Sequence, residues 1–292
     1  MNQSLKICVL AGVLGLCNGC GMTVQGIDLG RVIGAGSKIM DIGGKSEEEE
    51  IEIGRGTAET LLSKALLVED DQLQEYVNRV GYWLAQHSDR PDLPWHFVVV
   101  NNSAANAFAA PGGYVFITTG MLAKVFNEAE LAGVLAHEIA HVTQKHHLAA
   151  LQGQSRKGLL GDVLVLTQQG RKRDEERSHG SGATAHFDDM VLDIYGRGLS
   201  REDEYRADAL GARIVARAGY DHYGFTSVLQ ALGGQEQDEA DMTLFLKTHP
   251  PINARLEQLE PVLLVLDEQV VSSRVLAGRY MMNSRDQMHQ GG

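Results

Sequence analysis

Residues 137–141 read His-Glu-Ile-Ala-His, so two histidines stand four positions apart and a glutamate directly follows the first. On an α-helix, side chains four positions apart lie one above the other, so His137 and His141 can both reach one Zn²⁺ ion. Glu138 then stands where it can take a proton from a water that the ion activates. The alternative interpretation is a partly exposed helix with scattered polar residues, which predicts no third ligand further along the chain.

The residues around this motif predict the helix that it needs. Asn127 can cap a helix, and Glu130 has the position of its capping-box partner. An apolar stripe continues the pattern and consists of Leu131, Val134, Leu135 and Val142. The sequence therefore predicts a helix from Glu128 to about His147.

A third ligand can lie at one of two places. His147 has the spacing of an extended histidine motif, but Gln144 stands where that motif has the glycine through which the chain leaves the helix. Without glycine there, His147 is expected to wind away from the metal, which makes this option weak. The alternative is a carboxylate on a second helix, as in sites built from two histidines and one glutamate.

The second helix is predicted to run from a cap at Ser200 to about Arg217. Within it, Glu204 and Asp208 are four positions apart and face the same side. The small residues beside them are Ala207 and Gly211. They would allow this helix to approach the first one closely, which ligation by a short glutamate side chain requires.

The composition limits the class of protein. The 292 residues suffice for one domain, or for one domain and a small appendage. The 43% of hydrophobic and 22% of charged residues exclude collagen-like, coiled-coil and wholly disordered chains. The 26 basic and 38 acidic side chains give a net charge of -12. Because nucleic-acid phosphates require clustered lysine and arginine, this balance argues against a nucleic-acid partner.

The three cysteines lie within the first twenty residues and are Cys8, Cys17 and Cys20. The apolar run at residues 7–16 is shorter than the about 20 residues of a membrane span, and it predicts a secretory signal. It ends in Leu-Cys-Asn-Gly-Cys at residues 16–20, which resembles a bacterial lipoprotein signal with the lipid on Cys20. Gly21, in place of aspartate, then favours an outer-membrane anchor that faces the periplasm. An ordinary secretory signal cut near the same place is the alternative.

We expect three parts in the chain: a signal segment at residues 1–20, a flexible, glycine-rich tether at residues 21–50 and one folded domain at residues 51–292. The four acids from Glu47 to Glu50 are predicted to be a solvated face. A helix is predicted from Asp71 to Ser88, with an apolar face that should pack on the core. That face consists of Leu73, Tyr76, Val77, Val80, Trp83 and Leu84.

Residues 95–100 and 114–118 are rich in β-branched and aromatic side chains and predict two strands. The stretch from Asn106 to Ala109 between them cannot be classified from its pattern. An antiparallel sheet is the simplest interpretation. A last helix is predicted from Asn253 to Leu266, with inward-facing residues Leu256, Leu259 and Val262.

Four segments carry a resemblance to a known family. Residues 200–208 contain Glu-x-x-Ala-Asp, and residues 106–113 read Asn-Ala-Phe-Ala-Ala-Pro-Gly-Gly. Residues 141–146 read His-Val-Thr-Gln-Lys-His, and residues 248–251 read Thr-His-Pro-Pro, with Arg255 shortly after. In this order the segments resemble the HtpX- and Ste-type zinc endopeptidases, or minigluzincin-like enzymes. The periplasmic BepA and LoiP type and the mitochondrial Oma type are closest in character.

The resemblance implies an α+β fold, namely a mainly helical, zincin-type metalloprotease domain with a small antiparallel sheet. It implies that His137, His141 and Glu204 hold one zinc ion per chain, with water in the fourth position. Glu138 would accept the proton of this water as the water attacks a peptide carbonyl. Asp208 would orient a ligand histidine by a hydrogen bond, whereas the alternative interpretation is an acid on the helix surface.

The resemblance also implies a substrate cleft. The backbone of Asn106, Ala107, Phe108 and Ala109 would form its edge and pair with an extended substrate, and an ordinary hairpin loop is the alternative. His249 has three open roles: a donor to the oxyanion, a fourth ligand that shuts off the metal, or a histidine at the entry of a helix. The histidines expected to have no metal role include His179, His186 and His222.

Between the two metal-binding helices, the stretch from Gly170 to Ala185 is polar and has no apolar period, which predicts a mobile loop and a candidate lid over the cleft. The tail beyond Val270 is expected to be an irregular or short helical cover. The residues after the His-Pro motif are expected to be too few for the helical-repeat domain that some relatives carry.

Two functions are open at this point. The first is a zinc endopeptidase that degrades misfolded or misassembled envelope proteins. The second is a periplasmic chaperone or assembly factor that binds clients in the zinc cleft with little or no cleavage. Glu138 favours the first, because a pure binder needs no proton acceptor beside the metal. The expected partners are unfolded protein substrates and the membrane, through the lipid on Cys20.

Overall fold

The structure is a computed structural model that describes residues 23–24, 27–28, 46–155, 181–233 and 248–269. The signal segment with Cys20, the predicted loop up to residue 180 and the tail beyond Val270 lie outside these residues. Strands β1 (Thr23–Val24) and β2 (Ile27–Asp28) form a short antiparallel pair within the expected tether.

Helix α1 (Glu47–Leu62) contains the acid run in its first turn. Ser46 and Glu49 form a reciprocal capping box, and acidic side chains in this turn are stabilised by the helix dipole. The prediction of a solvated face is wrong for Glu50, whose side chain is fully buried. The helix turns Glu50 and, three residues later, Ile53 toward the protein interior.

Helix α2 (Asp71–Ala85) is capped by Asp70, whose side chain accepts from the N–H groups of Gln72 and Leu73. Of the predicted apolar face, Leu73, Tyr76, Val77, Val80 and Leu84 are buried. Trp83 is the exception, because it is half exposed and its indole N–H donates to Ala218 O near the surface.

The main sheet contains β3 (Leu66–Leu67), β4 (His96–Asn101), β5 (Ala107–Ala110) and β6 (Tyr114–Thr118) in the order β3-β4-β6-β5. The β5–β6 pair is antiparallel, but the β4–β6 pair is parallel, so the sheet is mixed rather than antiparallel as predicted. The stretch that the sequence left unclassified forms an additional strand, β5, between β4 and β6 in the chain. Because β5 lies at the edge of the sheet and pairs antiparallel with β6, the chain reverses once more and β6 runs parallel to β4.

Helix α3 (Thr119–Lys124) leads to the motif-bearing helix α4 (Glu128–Thr143). The Asn127 side chain caps α4 by accepting from Glu130 N at 2.9 Å, as predicted. The helix ends earlier than predicted, because Lys145 adopts a left-handed φ of 59° and a separate helical segment follows over residues 146–155. His147 therefore does not continue the winding of α4.

The ranges 181–233 and 248–269 contain the helices α5 (Ser181–Arg197), α6 (Arg201–Arg217), α7 (Gly224–Gly233) and α8 (Ile252–Gln269). The cap at Ser200 and the end at Arg217 confirm the bounds predicted for the second helix. Residues 181–185 are helical, so the loop prediction is wrong for this part. The buried residues that hold α5 against its neighbours are Phe187, Val191 and Ile194.

Helix α4 lies at the centre of this α+β domain, and all its residues from Glu128 to Val142 are buried. It packs against α2, α6, α7 and β5. A helix that is apolar on nearly all sides must be surrounded in this way. Within the described ranges, no helix is both long and apolar enough to cross a membrane.

The first turn of α4 is fixed by a buried carboxylate. The hydroxyl groups of Tyr76 and Tyr220 donate to the two oxygens of Glu128 at 2.9 and 2.7 Å. The negative charge also faces the positive end of the helix dipole. This contact joins α2 and the end of α6 to the start of α4.

Replacement of Gly133 by alanine is expected to destabilise the domain, because the added Cβ would lie 2.5 Å from Phe225 N. Overpacking of this kind costs about 1–3 kcal/mol, and we expect a loss of that size in the free energy of unfolding, measured in urea. The matched control is Gly153→Ala, where an added Cβ has no neighbour within 4 Å. Equal losses in both variants would contradict the close contact of α4 and α7.

Candidate active site

Two histidines and one glutamate converge between helices α4 and α6. The Nε2 atoms of His137 and His141 are 3.1 Å apart. The two carboxylate oxygens of Glu204 lie 3.6 Å from these nitrogens, one from each. All three side chains are at most 2% exposed. The structure thus brings together the three residues predicted as ligands, and they could hold one metal ion.

A close contact of the two helices makes this convergence possible. A Cβ on Gly211 would lie 3.0 Å from His137 N, and Ala207 is fully buried in the same contact. The expectation that these small residues let α6 approach α4 is confirmed. A larger side chain there would move Glu204 away from the imidazoles.

The donor set fits a cation. Within the described residues, Oε2 of Glu204 is buried and makes no hydrogen bond. Burial alone raises the pKa of Glu204, but the neighbouring His249 and His137 lower it to about 2. An ionised, buried oxygen that faces two imidazole nitrogens has the surroundings of a metal ligand.

His137 is held from its far side by two buried charges. Asp208 Oδ1 lies 2.8 Å from His137 Nδ1. Arg255 Nε donates to Asp208 Oδ2 at 2.9 Å, and its Nη2 donates to Oδ1 at 2.6 Å. Burial raises the pKa of Asp208, but the Arg255 charge outweighs this and holds it well below its usual range. Asp208 is therefore a buried, ionised acceptor rather than an acid on the helix surface.

Further contacts fix the two histidine rings. The Phe225 ring stacks on His137 with centroids 5.0 Å apart, and the Arg255 guanidinium lies 5.2 Å from the Phe225 centroid. His141 Nδ1 is 2.9 Å from His146 Nδ1. Each ligand histidine thus has a buried polar partner on the nitrogen that faces away from Glu204.

Glu138 lies beside this group and is 2% exposed. Burial, together with the negative charges of Glu204 and Asp208, raises the pKa of Glu138 to about 7, although the charge on His137 opposes the shift. A carboxyl group with this pKa can both accept and release a proton near neutral pH.

A cavity of about 30 Å³ adjoins these groups. The residues that line it include Glu138, His141, Glu204, Phe108, Tyr195 and His249. The candidate cleft residues Asn106 and Ala107 also line it, whereas Ala109 does not, and its carbonyl oxygen accepts a hydrogen bond from the lining residue Tyr195.

Strand β5 presents its backbone to the cleft. Asn106 O accepts from Thr118 N of β6 at 3.0 Å. Because hydrogen bonding alternates along an antiparallel pair, Phe108 also faces β6, whereas Ala107 and Ala109 direct their backbone groups outward. The Tyr195 hydroxyl donates to Ala109 O at 2.6 Å from this outer side.

Two histidines that the sequence left open lie on the cavity wall. His249 Nε2 is 3.6 Å from Glu204 Oε2, and its ring centroid is 5.7 Å from that of His137. The His147 ring stacks on Tyr195 at 4.6 Å. The groups of described residues that could hold a metal include His249, together with His137 and Glu138, but not His147.

The sequence assigned no role to Arg255, Phe225, His146 or Tyr195. Arg255 had a signal, because it belongs to the matched His-Pro segment. His146 also had a signal, because it ends the matched segment at residues 141–146. Phe225 and Tyr195 had none, since their roles arise from contacts that no local pattern records.

Comparison with known proteins agrees with this geometry. The profile of peptidase family M48 matches residues 71–262. The chain is 31% identical to the beta-barrel assembly-enhancing protease of Yersinia pestis over 217 residues, which are 72% of this chain and 43% of that protein. It is 30% identical to the beta-barrel assembly-enhancing protease of Escherichia coli K12 over 215 residues, which are 71% of this chain and 42% of that protein.

A mitochondrial protein is also similar. The metalloendopeptidase OMA1 of Schizosaccharomyces pombe is 28% identical over 187 residues, which are 63% of this chain and 51% of that protein. The chain thus spans about half or less of the length of these relatives.

The matched range begins at the first residue of α2 and contains His137, His141, Glu204 and the residues that support them. It also covers more than half of the chain. The chain therefore belongs to peptidase family M48 and contains a metallopeptidase domain of that family.

Proposed function

We propose that this domain is a zinc-dependent endopeptidase that hydrolyses peptide bonds in misfolded or misassembled proteins of the bacterial envelope. The observation that carries the proposal is the buried convergence of His137, His141 and Glu204 beside the carboxylate of Glu138. Membership in peptidase family M48 supports the same activity.

The zinc ion would be held by His137, His141 and Glu204. Two imidazoles and one carboxylate are a ligand set of catalytic zinc sites, in which a fourth position stays open. When bound, the ion supplies a Lewis acid that acidifies a water and polarises the substrate carbonyl. Asp208 and Arg255 would keep Nε2 of His137 directed toward the other ligands.

Glu138 is the residue that would move the proton. Its buried carboxylate can accept a proton from the attacking water and then release it to the leaving amine. Because the side chain is buried, the proton is kept away from bulk water between the two steps.

An extended substrate would pair with the outer edge of β5, through the backbone of Ala107 and Ala109. Pairing of this kind reads the main chain and gives broad specificity, which suits unfolded clients. The bond from the Tyr195 hydroxyl to Ala109 O indicates that a donor in the cleft can reach this acceptor. A substrate N–H would have to displace Tyr195.

His249 would act on the open side of the metal site, where its Nε2 already lies 3.6 Å from Glu204 Oε2. It can donate a hydrogen bond to the substrate carbonyl oxygen as negative charge develops there. It can instead bind the ion and shut off the site. The second role occupies the position that the substrate needs, so the two roles exclude each other in time.

The predicted secretory signal and the predicted lipidation of Cys20 support a location at the periplasmic face of the outer membrane. The name of the similar beta-barrel assembly-enhancing protease supports clients from the envelope.

A factor that binds clients in the zinc cleft without cutting them is the second candidate. The observation in its favour is His249, whose Nε2 lies 3.6 Å from Glu204 Oε2 and could occupy the position that the attacking water needs.

The substitution Glu138→Gln separates the two candidates. We expect it to slow the cleavage of an unfolded protein roughly 100- to 10,000-fold, because glutamine cannot accept the proton. Bound zinc, measured by elemental analysis, should stay at the wild-type level because the three ligands are intact. The exposed Glu202→Gln is the matched control and should cleave normally. A zinc-loaded wild type that cleaves no faster than Glu138→Gln would leave the binding factor as the function.

The substitution Arg255→Met is expected to weaken zinc binding roughly 10- to 100-fold, because Asp208 would lose the groups that orient it toward His137. Affinity is measured by competition with a chromogenic chelator. The control Arg217→Met removes an exposed arginine that pairs with Asp89, and its zinc affinity should be unchanged. Unaltered affinity in Arg255→Met would contradict this support of the ligand.

The substitution Tyr195→Phe is expected to lower KM for an unfolded protein roughly 2- to 10-fold, because the substrate no longer competes with one hydrogen bond to Ala109 O. The exposed Tyr82→Phe is the control. An increase of KM in Tyr195→Phe would show that the hydroxyl assists binding instead.

A further inference from the structure

Glu50 of helix α1 is a fully buried carboxylate that lies outside both the metal site and the range matched by the family profile. Arg90 Nη1 donates to its Oε1 at 2.6 Å, and Lys145 Nζ lies 2.8 Å from its Oε2. The backbone N–H of Gly112 also donates to Oε1, at 3.4 Å. A buried charge is costly unless it is paired and hydrogen-bonded, and these three groups meet that requirement.

Two of the three partners stand at boundaries of the active site. Gly112 belongs to the turn that directly follows β5, the strand whose outer edge faces the cleft. Lys145 occupies the left-handed position that ends α4, the helix that carries Glu138. One carboxylate therefore connects the end of the substrate-facing strand to the end of the catalytic helix.

The backbone contacts around Glu50 leave little room for this connection to slide. A Cβ on Gly54 would lie 1.8 Å from Pro111 O, and a Cβ on Gly112 would lie 2.7 Å from Ile51 Cα. Helix α1 thus touches the turn after β5 backbone to backbone. Gly112 has a φ of 74°, so the conformation of this turn also depends on glycine.

We propose that Glu50 is a positioning residue that fixes the offset of β5 along α4 and thereby selects which peptide bond of a bound chain faces Glu138. The proposal rests on the endopeptidase function proposed above. A substrate strand advances about 3.3 Å per residue, so a shift of a fraction of this distance moves the carbonyl out of line with the proton acceptor. A displaced β5 pairs less well with the substrate strand, which raises KM, and it brings a different carbonyl into line with Glu138.

The test uses the zinc-loaded full chain and reduced, alkylated α-lactalbumin as the unfolded substrate. In Glu50→Gln we expect KM to rise roughly 5- to 10-fold and new cleavage sites to appear in the mass-spectrometric peptide map, with bound zinc unchanged. The matched control is Glu47→Gln. Glu47 pairs with the same Arg90 at 2.9 Å but is exposed and reaches neither boundary. Its KM and peptide map should stay those of the wild type.

A second variant tests the proposal in case Glu50→Gln does not fold well. Lys145→Asn keeps a residue that tolerates the left-handed conformation but removes the link from Glu50 to α4. It should show the same rise of KM and the same new sites. If Glu50 merely stabilises the fold, the rate at saturation falls with the folded fraction, and KM and the peptide map stay unchanged in both variants, which overturns the proposal. A wild type that binds zinc and cleaves nothing overturns the proposed function itself.

Discussion

The metal-binding group depends on one constraint, the backbone contact of α6 with α4 at Gly211. Glutamate has a short side chain, so Glu204 reaches the imidazoles on α4 only when the two helices nearly touch. The same closeness removes Glu204 and Asp208 from water, and buried carboxylates cost several kcal/mol each unless they are compensated. Arg255 compensates Asp208, and a bound cation would compensate Glu204. The short distance between the helices therefore brings the three candidate ligands together and buries a carboxylate charge beside two imidazoles.

The contacts that bury α4 also supply the groups that surround its histidines and Glu138. Because this helix is buried on all sides, several of the elements that pack on it reach its histidines or the cleft. Helix α6 contributes Glu204, α7 contributes Phe225, and β5 contributes a backbone edge. Core stability and site geometry are thus set by the same surfaces. Zinc affinity, KM and unfolding free energy must be measured separately to tell a lost contact from a lost function.

The parts of the site that could be predicted are those that follow from local sequence patterns. His137, His141 and Glu204 follow from four-residue spacing and from capping residues, because helix geometry alone puts such side chains on one face. The parallel pairing of β4 with β6 could not be predicted, because it depends on where β5 joins the sheet. The turn at Lys145 was missed because this left-handed residue is not glycine, and tertiary contacts hold it there.

Helices α1 and α5 were not predicted from the sequence, for a related reason. Both helices lie next to strand β5. Their sequences are polar or weakly periodic, so they are stable mainly through tertiary contacts, among them the bond from Thr60 to Asp188 that joins them. Both hold β5: α1 through the turn at Gly112, and α5 through Tyr195. Neither supplies a residue of the metal-binding group, and neither contains a matched motif. Substrate selection, as proposed, would therefore rest on elements that supply none of the three candidate ligands, while the proposed chemistry would rest on α4 and α6, which supply all three.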